Sequence, residues 1–209
     1  MIRRFLARQF ARPTGPAAPL IGRWLDRIAG PSNRLALAEM RIGPTDDLLE
    51  IGFGGGALLE RLLASTRGTV VGVDLSPKMI ARARRRFRQA PNLGLHCGSV
   101  ERLSLASASI DKAVSVASLY FWEDPAAALA DLARVLRPGG TLSLVFEPPE
   151  ELAKWPGSRF GFRAYDAAEL ERLMTDAGFA SFRIAEGRGR KPDRFLCLTG
   201  TRGASEAAS

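Results

Sequence analysis

Closely spaced glycines at Glu50-Ile-Gly52-Phe-Gly54-Gly-Gly56 join an apolar run to an amphipathic one, and few architectures accept such a junction. Upstream, DDLLEI (46–51) reads as a strand. Downstream, ALLERLLA places Leu58, Leu59, Leu62 and Leu63 on one helical face. Glycine suits this junction because the chain turns sharply and a ligand can approach a backbone that carries no Cβ. The helix that follows offers unpaired N–H groups toward the same point. A second strand, TVVGVD (69–74), ends in Asp74, where a carboxylate faces the ligand crevice and can accept two hydrogen bonds from a ribose diol. Strand, glycine turn, helix, strand and acid together predict an α/β domain on a parallel sheet, with a nucleoside-bearing ligand at the carboxyl edge.

The alternation continues to Phe146. Ser76 and Pro77 open a second helix, since proline at the first helical position gives up an N–H that has no partner there anyway. Its Arg82, Arg84, Arg85, Arg86 and Arg88 spread over too many angles for one stripe and read as solvated faces. NLGLHC (92–97) is a third strand and IDKAVSV (110–116) a fourth. Asp124-Pro125 starts a helix lined by Leu129, Leu132, Ala133 and Leu136, which Pro138-Gly139-Gly140 stops before the fifth strand, TLSLVF. Residues 147–165, rich in proline, glycine and aromatics, are expected to form a loop or lid. Asp166 and Glu169 make a capping-box-like start to a helix with Leu170, Leu173, Met174 and Ala177 inward, ended by Gly178. Strands near 179–186 and 194–200 and a frayed tail (203–209) complete the chain. Residues 1–45 are expected to be a helical segment over the site, with helices near Leu20–Ile28 and Asn33–Met40, and residues 46–209 the core.

Composition narrows the partners. The 209 residues are 46% hydrophobic and 25% charged, the balance of a globular domain. Arginines fill the opening MIRRFLARQFARP where a signal peptide needs an apolar core, and the two cysteines, Cys97 and Cys197, both read as buried thiols in strands. A reducing cytoplasm is the expected location. One histidine, His96, and no paired cysteine spacing predict no metal site. The net charge of +8 raises nucleic acid or an anionic membrane as partners. Only Lys78, Lys112, Lys154 and Lys191 among the 30 basic residues are lysine, a skew that reads as coding bias rather than a phosphate-binding face. Residues 1–12, with Ile2, Phe5, Leu6 and Phe10 on a basic helix, suit weak association with an anionic membrane. No stable nucleic-acid partner is expected.

The glycine turn alone leaves two cofactors open. Gly52, Gly54 and Ala57 also satisfy the dinucleotide pattern, with Asp74 at the right distance. Against hydride transfer, neither Tyr120 nor Tyr165 has a lysine four residues later, and about sixty residues follow strand five. The segments LLEIGFGGGALLERL, VVGVDLSPKMIARAR and IDKAVSVASLYFWEDPAAALADLARVLRPGGTLSLV together resemble the class I S-adenosylmethionine-dependent methyltransferases. Their flavour is that of the bacterial group containing the ubiquinone and menaquinone methyltransferases.

That resemblance implies a Rossmann-like seven-stranded, mostly parallel sheet with helices on both faces, its last strand antiparallel between two parallel ones. It implies S-adenosylmethionine as cofactor, with Glu50, Gly52, Phe53, Gly54 and Gly56 holding the amino-acid end. Asp74 would take the ribose hydroxyls, and Leu75 and Met79 the adenine. Gly98-Ser99-Val100 falls where the family often has Gly-Asp-Ala; Ser99 brings no charge, so adenine recognition should be looser or helped by Glu101. Ser118 and Tyr120 match positions bordering the methyl group. The acceptor expected is a small molecule, apolar or aromatic, from the aromatics outside the shared block: Phe5, Phe10, Trp24, Trp155, Phe160, Phe162 and Tyr165. Methyl transfer needs a base only when the acceptor keeps its proton. Glu147, at the carboxyl edge after strand five, and Tyr120 are the catalytic candidates.

Overall fold

Two interleaved apolar registers organise the sheet. Leu48, Val70, Val114 and Val145 point to one face, and Leu49, Val71, Ala113 and Leu144 to the other, all of them buried. A strand buried on both faces must be covered by helices on both. The computed structural model describes residues 29–155, 158, 162–189 and 193–203. The helix expected at Leu20–Ile28, the stripe of Ile2, Phe5, Leu6 and Phe10, Trp24, Phe160 and the tail beyond Gly203 lie outside the described residues.

The elements are α1 (Gly30–Met40), β1 (Leu48–Ile51), α2 (Ala57–Ser65), β2 (Val70–Asp74), α3 (Pro77–Arg86), β3 (Leu93–Cys97), β4 (Ile110–Val116), α4 (Pro125–Val135), β5 (Leu136–Phe146), α5 (Pro149–Leu152), α6 (Ala167–Asp176), β6 (Phe179–Arg188) and β7 (Arg194–Arg202). Short 3-10 turns lie at Val100–Arg102 and Leu119–Phe121. The sheet has seven strands in the order β3-β2-β1-β4-β5-β7-β6. β1 to β5 pair in parallel, and β7 runs antiparallel between β5 and β6. This is the expected Rossmann-like arrangement. Ala36 and Met40 of α1, Leu58, Leu59 and Leu62 of α2, and Met79, Ile80 and Ala83 of α3 cover one face. Leu129 and Leu132 of α4, with Leu170 and Met174 of α6, cover the other.

Both expected aspartate caps form. Asp124 accepts from the N–H groups of Ala126 and Ala127, and Asp166 accepts from that of Glu169. The cap expected from the Ser76 side chain does not; Asp74 reaches across and accepts from the Ser76 N–H instead. Strand β5 begins earlier than expected, because Leu136 already pairs with Ile110 ahead of a register shift. The residue before Pro138 is biased toward extended backbone, which favours strand over one more helical turn. Cys197 is buried as expected, but Cys97 is exposed. β3 is an edge strand, and its last residue, still paired with Asp74, lies beside solvent, so the thiol escapes the cover that central strands have. Residues 147–155 open the segment expected to form a loop or lid. They include the short helix α5 and bury Glu147, Glu151 and Leu152.

Candidate functional site

The site grows from the turn after β1. Gly52, Gly54 and Gly56 all have positive φ, at 72°, 51° and 84°, which any residue bearing a Cβ would adopt at a cost. They serve different purposes. A Cβ on Gly52 would lie 2.5 Å from Ser118 Cβ, so its bareness lets the turns after β1 and β4 touch. One on Gly56 would meet the Phe87 ring at 3.0 Å. One on Gly54 would meet nothing within 4 Å and would stand in open space. The same holds for Gly98, after β3. Arg86 steadies the turn from outside, donating to Gly55 O at 2.9 Å and to Glu60 at 2.7 Å.

Asp74 is stitched to this turn. Its Oδ2 accepts from Gly54 N–H at 2.9 Å and its Oδ1 from Ser76 N–H at 2.8 Å. Burial holds its pKa above the usual carboxylate value, although both amides pull the other way. Each oxygen keeps a second lone pair for a ligand hydroxyl.

A cavity of about 320 Å³ opens over these groups at the carboxyl edge, a volume in the range of small-ligand pockets, roughly 300–1,000 Å³. Glu50, Gly52, Phe53, Gly54, Asp74 and Leu75 line it from β1 and β2. Gly98, Ser99 and Val100 follow from β3, and Ser118, Tyr120 and Glu147 from β4 and β5. Two expected residues stand apart from the lining. Gly56 packs on Phe87, and Met79 lies 1% exposed in the core beneath α3. Leu75, by contrast, is 44% exposed at the rim. Ser118 is already engaged, bonding Ile51 O at 3.2 Å and Ser115 Oγ at 2.7 Å. Glu101 lines the cavity, with Oε1 accepting from Glu123 N–H.

The two catalytic candidates are bonded to each other. Tyr120 is 3% and Glu147 6% exposed. The Tyr120 hydroxyl donates to Glu147 Oε2 and accepts from Glu147 N–H at 2.6 Å. Burial raises the Glu147 carboxyl above its usual value against the opposing tyrosine bond, with Glu151 adding to the rise. Burial, and then the charge of Glu147, push the Tyr120 phenol well up. Of the expected acceptor aromatics, Trp155 and Phe162 line the cavity, whereas Tyr165 is buried in the core. Phe162 packs edge-on to Phe121 with centroids 4.7 Å apart and lies 6.0 Å from the Tyr120 ring.

Sequence reasoning passed over Ser32 and Asn33, which bring α1 to the cavity wall and are each 5% exposed. Polar residues on the buried side of a helix were the available signal. Trp122 also lines the wall, and its buried Nε1 has no hydrogen-bond partner among the described residues. Among the described lining residues five are carboxylates (Glu50, Asp74, Glu101, Glu123 and Glu147) and none is lysine, arginine or histidine. No cluster of three or more His, Cys, Asp or Glu residues that could hold a metal occurs among the described residues. Nor, among them, is any helix long and apolar enough to cross a membrane.

Comparison with known proteins adds to this geometry. Residues 49–144 match the model of a methyltransferase domain family. An uncharacterized methyltransferase, YdaC of Bacillus subtilis, is 28% identical over 174 residues, covering 83% of this chain and 92% of its own. Against other curated relatives the chain spans about half their length, 56% and 42% in two cases. Among solved structures, a putative methyltransferase in complex with the Trm112 methyltransferase activator of Haloferax volcanii superposes with a TM-score of 0.83 at 19% identity, covering 92% of this chain and 97% of that one. A SAM-dependent methyltransferase from Aquifex aeolicus gives 0.73 at 20% identity, covering 88% and 97%. At such identities the structural likeness speaks for the fold.

Proposed function

We propose that this chain, whose residues 49–144 match a methyltransferase domain family, is a class I S-adenosylmethionine-dependent methyltransferase, and that its cavity takes this cofactor and a small, apolar or aromatic methyl acceptor side by side. The observation that carries the reading is the unit of Gly54 and Asp74: a bare backbone facing open space, tied through its N–H to a buried carboxylate. A side chain at position 54 or 98 would fill the space in which the nucleoside would lie. The residues present therefore fit the group.

In this reading Glu50 and the turn Gly52-Phe53-Gly54 hold the amino-acid end, and Asp74 accepts from the ribose hydroxyls. Leu75, exposed at the rim, covers the adenine, with Ser99 at its edge. Bound S-adenosylmethionine supplies a methyl group on a sulfonium, a carbon already activated for in-line displacement. The chain must then hold a nucleophile in line and exclude water, an effect that can supply roughly 7–11 kcal/mol. The aromatic side of the cavity, Phe121, Trp155 and Phe162, would hold the acceptor, with Tyr120 and Glu147 beside the reacting atoms.

Calorimetric titration with S-adenosylmethionine and with S-adenosylhomocysteine tests the assignment. Saturable one-to-one binding of both is expected. Absence of heat from either at millimolar concentration overturns it.

A further inference from the structure

The half of the cavity built by β4 and β5 has a chemistry that narrows the acceptor. Three rings, Tyr120, Phe121 and Phe162, cluster with centroids 4.7 to 6.2 Å apart. The backbone locks this wall, since Arg163 N–H donates to Tyr120 O at 3.1 Å and so brings the segment carrying Phe162 onto the turn carrying Tyr120. Glu147 stands in the same wall, its Oε2 held by the Tyr120 hydroxyl. Its other oxygen accepts no hydrogen bond from another described residue. A carboxylate more than nine-tenths buried, with an oxygen to spare and aromatic rings beside it, suits a ligand that brings its own donor and positive charge.

The nearby cations among the described residues are turned elsewhere. Lys154 Nζ lies 2.7 Å from Glu151 and 3.7 Å from Asp193. The Arg163 guanidinium lies 3.2 Å from Glu169 and over the Tyr165 ring. No lysine, arginine or histidine is among the described lining residues. An anionic acceptor would meet the Glu147 carboxylate there, which has no cationic partner among the described residues. This local sign opposes the chain as a whole, whose +8 net charge favours anions at long range.

We infer that the acceptor is an amine with an aromatic or apolar body, its nitrogen received by Glu147 and its body by Phe121, Phe162 and Trp155. The inference rests on the methyltransferase reading above and adds the substrate class to it. The amine enters as an ammonium and gives one proton to the Glu147 carboxylate, which becomes the neutral acid. The freed nitrogen lone pair forms the new N–C bond as the methyl carbon–sulfur bond breaks, and that electron pair stays on sulfur. The positive charge passes from sulfur to nitrogen, leaving a methylated ammonium and a neutral thioether. Burial, which disfavours the charged carboxylate, makes Glu147 a better proton acceptor than an exposed glutamate. The Tyr120 hydroxyl keeps its oxygen aimed throughout.

The test uses the protein saturated with S-adenosylhomocysteine, titrated calorimetrically with matched probes. Phenethylamine and tryptamine are the amines, 3-phenylpropionate and indole-3-propionate the carboxylates, and 3-phenylpropanol the neutral alcohol. The amines should bind at least tenfold more tightly than either carboxylate. Glu147→Gln, whose amide oxygen can still accept from Tyr120, should weaken amine binding tenfold or more. It should leave the alcohol and S-adenosylhomocysteine within about twofold. Carboxylates or the alcohol binding as well as the amines, no amine binding at all, or amine affinity indifferent to the substitution would overturn the inference. If the variant does not fold, the ranking of probes on the natural protein decides alone. Failure of S-adenosylhomocysteine itself to bind would sink the methyltransferase reading; binding of that nucleoside with the wrong probe ranking would sink only the amine.

Discussion

The two ends of the sheet handle charge in opposite ways. At the amino end, Arg137 bridges Asp47 at 2.9 Å and Asp111 at 2.8 Å, and Lys112 stands 3.5 Å from Asp46. The same carboxylates take backbone amides: Asp111 accepts from Asp47 N–H, and Asp47 from Thr69 N–H. Gly68 seals that end, since a Cβ there would lie 2.3 Å from Asp46 O. At the carboxyl end, Asp74 is bonded to two amides and Glu147 to a tyrosine. Burial tends to raise each of these pKa values. At Asp47 the Thr69 amide and Arg137 outweigh it and the value falls; at Asp74 and Glu147 burial prevails and the values rise. One end is neutralised and closed. The other, among the described residues, keeps carboxylates facing a cavity with no cation beside them in its lining.

That contrast can be broken most forcefully at Gly52. Alanine there combines a disfavoured positive φ, about 1–2 kcal/mol, with a 2.5 Å approach to Ser118 Cβ that adds about 1–3 kcal/mol. Tm should fall by on the order of 10 °C and cofactor binding should vanish, as differential scanning calorimetry and titration would show. Asp74→Ala comes next. Loss of charged hydrogen bonds worth about 1.5–3 kcal/mol should weaken S-adenosylmethionine about 10- to 100-fold in the same titration. At the opposite end, Arg137→Ala should leave that affinity unchanged. It should lower Tm by only a few degrees, because a side chain 39% exposed is screened and contributes about 1 kcal/mol. An affinity change there would show that the two ends are coupled.

The smallest effect is one of sign with pH. The Asp47 carboxyl is depressed below 3.8, so its stabilisation is present above that pH and is lost as pH falls through its folded value. The Glu147 carboxyl is raised above 4.5, so its contribution is present below that pH and is lost as pH rises through its folded value. Denaturant melts between pH 4 and 7 should therefore show the natural protein losing stability relative to Glu147→Gln as pH rises. An unchanging difference would show that the Glu147 carboxyl is not raised by burial.

Most of the sheet was legible in the sequence because it follows from short-range rules; the ion pairs of the closed end, which join residues up to 90 apart, were not. Apolar alternation located the strands, and Asp124-Pro125 and Asp166 marked helix starts that the backbone then adopted. The glycine turn and Asp74 were legible as a pair, but not their bond, since a contact across 20 residues leaves no local pattern. Met79, expected against the adenine, lies in the core beneath α3, because helical phase decides which way a residue in the first turn points. Ser32 and Asn33 were missed for a related reason. Only the packing of α1 against β4 and β5 shows that its polar residues reach the cavity. Tyr120 and Glu147 were each named, yet their pairing needed the parallel register of β4 and β5 to bring the two strand ends abreast.

The touching turns at Gly52 and Ser118 bear on anyone wishing to retool this protein. Ser118 is both the abutment for the first turn and the lead-in to the aromatic wall. Grafting a different wall from residue 119 onward would change the guest while keeping the neighbouring berth in shape. A graft that starts one residue earlier would shift both berths at once.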